Sequence, residues 1–160
     1  MALHNTKIDL PKDKREKLIE ILNGRLADAS DLKSQIKQAH WNVKGMSFIA
    51  LHELFDSIAT AVEAHVDLIA ERVTTLGGTA MGTVRLAAQN SGLSEYPHEI
   101  TDGASHVDAV STALADFGKV VRKGIDEAAD LGDQDTADIF TEISREIDKQ
   151  LWFVEAHIQA

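Results

Sequence analysis

Four residues in one stretch of the chain have the types and the spacing of metal ligands: His52, Asp56, Asp67 and Glu71. They form two pairs spaced four apart, and residues at i and i+4 lie on the same face of an α-helix. At about 100° per residue, all four fall within a stripe about 100° wide. Imidazole and carboxylate groups together suit iron, whereas soft metal sites use thiolates. The stripe therefore predicts a metal-binding face, with an acidic solvated face as the alternative.

One helix cannot bring both pairs to a single metal site. Asp56 and Asp67 are separated by roughly 16 Å along a helix, at a rise of about 1.5 Å per residue. The spacing is nevertheless symmetric, because the two inner and the two outer residues share one midpoint, between positions 61 and 62. If two copies pack antiparallel about a two-fold axis at this midpoint, His52 of one copy faces Glu71 of the other. The spacing thus predicts two identical sites, each built by two subunits.

The composition limits the classes of protein that the chain can represent. Its 160 residues are enough for one domain with a proper core. The absence of cysteine excludes disulfides and thiolate metal sites. A formal net charge of −10 argues against a nucleic-acid-binding body, because binding phosphates requires Lys and Arg. Without a long apolar run or a secretory segment, we expect a cytoplasmic protein with no membrane partner.

Apolar residues recur at intervals of three and four through most of the chain and predict four long helices. Pro11 fits the first turn of the first helix, Ser47 is the predicted N-cap of the second, and Gly77-Gly78 is its stop signal. The connection between the second and third helices is long and has room for a short helix. No segment predicts a strand. The predicted helices span about residues 11–39, 48–76, 101–131 and 133–160.

This order of elements predicts an all-α fold, a four-helix bundle of ferritin-like plan with one long connection in the middle of the chain. We expect a short N-terminal tail at residues 1–10 and a single domain at residues 11–160.

Three segments resemble the Dps family (DNA-binding protein from starved cells), the mini-ferritins. They read KQAHWNVKGMSFIALHELFD from Lys37, then HVDLIAERVTTLGGTAMGT, and near the end of the chain TADIFTEISREIDKQLWFVEAHI. The resemblance covers nearly the whole chain and weakens only at the N-terminus. It implies a homo-oligomer, a hollow shell of twelve subunits. It also implies a location in the cytoplasm, with association with the nucleoid in some family members.

The resemblance also implies a ferroxidase centre, a diiron site shared between two subunits at the two-fold interface. Only the resemblance, and not the spacing, places His40 at this centre. Trp41 follows His40 as in the family, where a tryptophan lies beside the irons; its alternative role is core packing. The implied ligands are His40, His52 and Asp56 from one subunit with Asp67 and Glu71 from its neighbour.

The activity implied by the family is oxidation of Fe(II), with hydrogen peroxide as the preferred oxidant, and storage of the product as ferric mineral. Two irons held together can pass two electrons to one peroxide, whereas transfer of one electron releases hydroxyl radical. Such a protein protects DNA from oxidative damage by removing both reactants.

An acidic run spans the predicted junction of the third and fourth helices. In the family, aspartates of this region line three-fold pores that admit iron, and Asp138, followed by Asp126 and Asp130, is the candidate here. The alternative is helix capping, since Asp133 or Asp135 could start the fourth helix.

DNA binding in the family often depends on a long tail rich in Lys and Arg. Here the candidates are Lys7, Lys12 and Lys14, but acidic residues interrupt them and most of the charge falls in or beside the first helix. We expect DNA binding to be weak or absent at physiological salt. A nucleoid-compacting protein with secondary iron chemistry is the alternative function.

A conventional ferritin site inside each subunit is a third possibility, but it needs Glu-x-x-His on facing helices. The chain offers this motif only at Glu95–His98, in a predicted loop.

Glu63 shares the ligand stripe and either tunes the site or is a polar interface residue. His65 points about 140° away from position 52 and is predicted to be an interior or interface histidine with its hydrogen bonds satisfied. No role is assigned to His4, His98, His106 or His157.

Overall fold

The computed structural model describes residues 3–159, which form five helices and no strand. The helices are α1 (Lys12–Asn42), α2 (Phe48–Thr75), α3 (Val84–Asn90), α4 (Gly103–Asp130) and α5 (Gln134–Glu155). The all-α prediction is confirmed, and the short helix in the long connection is α3. Residues 1 and 2 of the predicted tail and residue 160 of the predicted domain lie outside the described residues.

The four long helices pack as two antiparallel pairs around one apolar core. α1 and α2 form one pair, joined by a short turn, and α4 and α5 form the other. Phe55, Phe117 and Phe140 come from three different helices and are fully buried at the centre. α2 also packs against α5, so the helix that carries the predicted ligands is held on two sides.

α1 continues for almost one turn beyond its predicted end. The helix ends at Asn42 rather than near Ala39, and the backbone N–H of Val43 still donates to the carbonyl of Ala39 at 2.9 Å. The sequence contains no glycine or proline that would stop the helix at position 39. As a result His40 and Trp41 lie in the last helical turn.

The predicted stop signal at the end of α2 is confirmed. Gly77 has a φ of 87°, a left-handed conformation that favours glycine. The N–H of Gly78 donates to the carbonyl of Val73 at 2.9 Å, so the end of the helix is capped by its own backbone. A side chain at position 77 would also collide with the tail, since a Cβ there would lie 2.6 Å from the carbonyl oxygen of His4.

The N-caps follow the prediction in part. Ser47 is at the N-cap position of α2, but its side chain makes no capping hydrogen bond. Asp102 and Asp133 cap α4 and α5 by accepting from the backbone N–H groups of Ser105 and Thr136. Two of the helix starts are therefore fixed by carboxylates.

A buried ion pair ties α2 to the turn between α4 and α5. Arg72 donates to both carboxylate oxygens of Asp133 at 2.7 and 2.9 Å, and its Nε donates to Thr136 at 2.9 Å. The Arg72 and Asp133 side chains are only 11% and 3% exposed. The position of α2 therefore depends on a charged contact, in which one guanidinium nitrogen meets both carboxylate oxygens, as well as on apolar packing.

Among residues 3–159, no helix is both long and apolar enough to cross a membrane.

Candidate metal centre

His40 and His52 are joined by a reciprocal pair of hydrogen bonds. The Nδ1 atom of His40 lies 2.8 Å from the carbonyl oxygen of His52, and the Nδ1 atom of His52 lies 2.8 Å from the carbonyl oxygen of His40. Their rings stack at a centroid distance of 3.8 Å with 21° between the planes. The last turn of α1 and the first turns of α2 are thus held together by the two side chains.

These hydrogen bonds decide which ring nitrogen carries the proton. A carbonyl oxygen can only accept, so each Nδ1 must be the donor. In the neutral imidazole, each Nε2 then keeps its lone pair and is available to a metal ion. Metal-binding histidines commonly donate their other N–H to a carbonyl in this way. The arrangement fits the role that the resemblance implied for His40 and the one that the spacing implied for His52.

Asp56 lies one turn after His52 and is held by Lys37 of α1. The Lys37 ammonium donates to the Asp56 carboxylate at 2.6 Å, and both side chains are open to solvent. The pKa of Asp56 is lowered, chiefly by this hydrogen bond and in addition by the charge of Lys37. The carboxylate is therefore ionised at neutral pH, and a bound cation would compete with Lys37 for it.

Asp67 and Glu71 lie further along α2, on exposed positions. Within residues 3–159, no group of three or more His, Asp or Glu side chains is placed to hold one metal ion. A single subunit thus brings His40 and His52 into contact, with Asp56 one turn after His52. Asp67 and Glu71 lie about three turns or more beyond Asp56 on the same helix.

The rim of the histidine pair is apolar and open to solvent. The Phe48 ring lies 5.1 Å from the ring of His52 at a tilt of 35°, and Ile49 is exposed beside it. Trp41 is 66% exposed, so the core-packing role is wrong for it within one subunit. Its ring lies 5.6 Å from the Lys37 ammonium, in reach of a cation–π interaction.

The two further α2 residues that the sequence singled out have different environments. Glu63 is exposed and forms an ion pair with Lys33 of α1. His65 is buried as predicted, but the prediction that its hydrogen bonds are satisfied is wrong. Its Nε2 lies 3.2 Å from a carboxylate oxygen of Glu146 without making a well-directed hydrogen bond. Burial lowers the pKa of His65 more than Glu146 and Glu142 raise it.

The acidic run at the junction of α4 and α5 divides into two kinds of residue. Asp126, Asp130 and Asp138 are exposed. Asp133 is buried, caps α5 and binds Arg72, so the capping alternative holds for this residue. Asp135 is exposed in the first turn of α5. The three pore candidates are therefore accessible to solvent, whereas the buried Asp133 stabilises the fold.

The basic residues of the N-terminal region lie on or near the body of the subunit. Lys12 and Lys14 belong to the first turn of α1, and only Lys7 precedes the helix. The backbone N–H of His4 donates to the carbonyl of Gly77 at 2.8 Å, and Leu3 and Leu10 pack against the core. The described part of the tail is thus anchored at both of its ends.

Two side-chain contacts were not predicted from the sequence. In the Lys37–Asp56 contact, the lysine is visible in the sequence three positions before His40. Its pairing with Asp56, however, depends on the alignment of α1 with α2. The pair formed by Tyr96 and His106 had no sequence signal, because it joins a loop to a helix face.

Comparison with known proteins agrees with this architecture. A family model for the ferritin-like domain matches residues 19–160. The chain is 46% identical over 159 residues to the DNA protection during starvation protein of Agrobacterium fabrum, an alignment that covers 99% of this chain and 98% of that protein.

Solved structures of Dps proteins have the same fold along the full length. The tetragonal form of Dps from Mycobacterium smegmatis superposes with a TM-score of 0.94 at 29% identity, covering 99% of this chain and 96% of that one. The Dps protein of Vibrio cholerae O1, described as a member of a broad superfamily of ferritin-like diiron-carboxylate proteins, gives 0.90 at 25% identity and covers 99% of each chain. From its sequence, its fold and these relatives, the chain belongs to the Dps group of the ferritin-like family.

Proposed function

We propose that the protein is a ferroxidase and an iron-storage shell that removes Fe(II) and peroxide and so protects DNA. The observation that carries this proposal is the His40–His52 pair. Both Nδ1 atoms are used by backbone carbonyls, which leaves both Nε2 lone pairs for metal ions, and the Asp56 carboxylate follows one turn later. This is a donor set for a divalent transition metal.

The remaining ligands, Asp67 and Glu71, come from a second subunit in this proposal. A two-fold axis near positions 61 and 62 of α2 places them opposite the histidine side of the partner. The exposed apolar residues around the histidines support a subunit interface at this face, because they would lose contact with water there. They are Trp41, Met46, Phe48 and Ile49.

Iron is the substrate of the proposed reaction. Two Fe(II) ions bound at one shared centre give two electrons to one molecule of hydrogen peroxide, which avoids release of hydroxyl radical. The Fe(III) product is stored as mineral inside a shell of twelve subunits. The protein supplies carboxylate and imidazole ligands, which hold Fe(III) more tightly than Fe(II), so the metal stays bound after oxidation.

The exposed aspartates Asp126, Asp130 and Asp138 serve as the iron-admitting pore in this proposal. Asp126 and Asp130 lie in the last two turns of α4, where a negative charge is unfavourable because the helix C-terminus is itself negative. No basic residue of α4 compensates for them in its last turn. These two carboxylates therefore destabilise the helix itself. They place negative charge on a surface that can attract cations.

The oxidant preference is tested by following Fe(II) oxidation in the assembled protein, with peroxide or with dioxygen as the oxidant. We expect peroxide to react faster, at two Fe(II) per peroxide, with little hydroxyl radical captured by a spin trap. Free Fe(II) under the same conditions serves as the reference for radical formation. Radical yields equal to those of free Fe(II) would contradict the proposal that the irons react in pairs.

Replacement of Lys37 by glutamine should strengthen metal binding. Asp56 loses a cation that competes with the metal, while the amide keeps a similar side-chain length. We expect the affinity for Fe(II) under anaerobic conditions to rise roughly two- to fivefold, because an exposed ion pair is a weak competitor. Calorimetric titration measures the change. Lys33→Gln, which removes the neighbouring pair with Glu63, is the matched control, and an equal gain in both variants would mean that only the general charge matters.

DNA binding should be weak or absent at physiological salt. The described tail is anchored at His4, Leu3 and Leu10, and the chain has an overall charge of −10. A gel-shift titration with plasmid DNA at low and at physiological salt tests this expectation. Retention that survives physiological salt and disappears on deletion of residues 1–10 would favour the nucleoid-compacting alternative, through Lys7, Lys12 and Lys14.

A further inference from the structure

Tyr96 and His106 form a buried pair outside the metal centre. The Tyr96 hydroxyl oxygen lies 2.5 Å from Nδ1 of His106, and their rings are nearly parallel at 6.1 Å between centroids. Tyr96 is 5% exposed and His106 is 1% exposed. Tyr96 lies in the connection before α4, and His106 lies in the first turn of that helix, so the contact is made across two elements.

The surroundings of the pair keep the His106 imidazole neutral at rest, so that it can accept a proton. Burial lowers the pKa of His106, so the ring is neutral at rest and its Nδ1 can accept from the Tyr96 hydroxyl. The carboxylate of Asp102 and the backbone of Asn42 and Ile100 act in the opposite sense, because they stabilise the charged ring. The Nε2 atom is buried and makes no regular hydrogen bond.

Tyr96 itself cannot ionise at neutral pH, because burial raises its pKa far above the ordinary value. A buried phenol that loses an electron becomes strongly acidic, so its oxidation requires an acceptor for the proton. The only side-chain hydrogen-bond partner of the Tyr96 hydroxyl within residues 3–159 is His106. The pair thus contains an oxidisable group and, in direct contact with it, a base.

We propose that Tyr96 and His106 act together as a proton-coupled electron donor that quenches one-electron oxidants inside the subunit. The oxidant class is hydroxyl radical. Tyr96 gives it one electron, which converts it to hydroxide, and the phenolic proton moves to Nδ1 of His106. The products in the protein are a neutral phenoxyl radical and an imidazolium ion.

The pair is restored by Fe(II). One Fe(II) ion returns an electron to the phenoxyl radical and becomes Fe(III), while the proton returns from His106 to the oxygen. Over the cycle, one hydroxyl radical and one Fe(II) become hydroxide and Fe(III). This step rests on the proposed function, since radicals form when a lone Fe(II) meets peroxide. The location is suitable, because Asn42, beside His106, follows His40 by two residues at the end of α1.

The chain makes the test unusually clear, because Tyr96 is its only tyrosine. The assembled, metal-free protein is oxidised with a photogenerated one-electron oxidant and frozen, and the radicals are identified by electron paramagnetic resonance. We expect a neutral tyrosyl radical, which can come only from Tyr96. Its formation should be slower in D2O than in H2O, because a proton moves with the electron.

His106→Gln removes the base and keeps an atom that can accept the hydrogen bond. We expect this variant to lose most of the tyrosyl signal, while Tyr96→Phe loses all of it. Asp108→Asn, an exposed change on the same helix, is the control and should keep the signal. Tryptophan radicals without a tyrosyl signal, or an unchanged yield in His106→Gln, would overturn the proposal. If His106→Gln does not fold, an absent isotope effect in the wild-type protein would overturn it equally.

The metal-free design separates this inference from the proposed function. A tyrosyl radical in a protein that does not oxidise Fe(II) would refute the ferroxidase and leave the Tyr96–His106 pair as an electron donor with another source of oxidant. Fe(II) oxidation without any tyrosyl radical would leave the ferroxidase intact and refute the pair.

Discussion

Subunits carrying His52→Ala with Asp56→Ala should be inactive in Fe(II) oxidation, and so should subunits carrying Asp67→Ala with Glu71→Ala. Mixed in equal amounts before assembly, the two inactive proteins should recover about one quarter of the wild-type rate. The recovery follows because each proposed site takes its histidine side from one subunit and its other carboxylates from the neighbour. The rate is measured by the absorbance of the ferric product after anaerobic loading with Fe(II).

The expected fraction comes from the two-fold symmetry. In random mixing, about half of the interfaces join one subunit of each kind. At such an interface, one of the two sites combines both damaged sides and the other combines both intact sides. About one site in four is therefore complete.

A mixture of His52→Ala and Asp56→Ala subunits is the matched control. Both changes lie on the same side of the site, so every site receives at least one damaged side and no activity should return. Co-assembly is verified by mass spectrometry of mixed shells. Failure of the first mixture to recover, despite verified co-assembly, would mean that each site lies within one subunit.

Loss of the Asp133 carboxylate should be the most damaging single change to stability outside the apolar core. Asp133→Ala leaves the Arg72 guanidinium buried without its carboxylate partner and also removes the cap of α5. Breaking a buried ion pair on one side costs about 3–5 kcal/mol. Thermal unfolding of the assembled protein, at matched subunit concentration, measures the loss.

Asp135→Ala is the control, because Asp135 is 84% exposed and lies 3.9 Å from Arg72 at its nearest. It should change the free energy of unfolding by less than about 1 kcal/mol. Asp133→Asn should fall between the two, since an amide still caps a helix but carries no charge. Equal stability of Asp133→Ala and Asp135→Ala would show that the buried contact contributes little.

The same ion pair gives a dependence on pH with a definite sign. Burial of Asp133 opposes its ionisation, but the hydrogen bonds from Thr136 and Arg72 outweigh this, and its pKa lies below the ordinary aspartate value. A carboxyl whose pKa is lowered by folding contributes stability that is complete above its unfolded value and is lost as the pH falls through its folded value. Wild-type protein should therefore lose its advantage over Asp133→Asn only in acid, below the ordinary aspartate pKa.

The sequence was sufficient for features that depend on neighbouring residues. The long amphipathic helices, the stop at Gly77 and the cap at Asp133 follow from local periodicity and local conformation, and the structure confirms them. The end of α1 was less well predicted, because the last turn contains no stop signal and is held by contacts of His40 with α2.

Features that join distant elements were out of reach. The exchange of hydrogen bonds between His40 and His52 requires a particular alignment of α1 with α2, which no spacing within either helix specifies. Tyr96 and His106 meet because the long connection folds back over the start of α4. By contrast, the mirrored spacing of the proposed α2 ligands is visible in the sequence because one helix carries both halves of the pattern.

The continuity of α2 has a consequence for which changes in chain length the protein can tolerate. This helix runs without interruption from Phe48 to Thr75 and carries both His52 and Glu71. Inserting or deleting one residue between the two ligand pairs would rotate one pair against the other by about 100° and shift it by about 1.5 Å. Because every copy is altered alike, every proposed shared site would be lost together. The connection between α2 and α4 has no such constraint, so natural variation in length should accumulate there and be absent from the middle of α2.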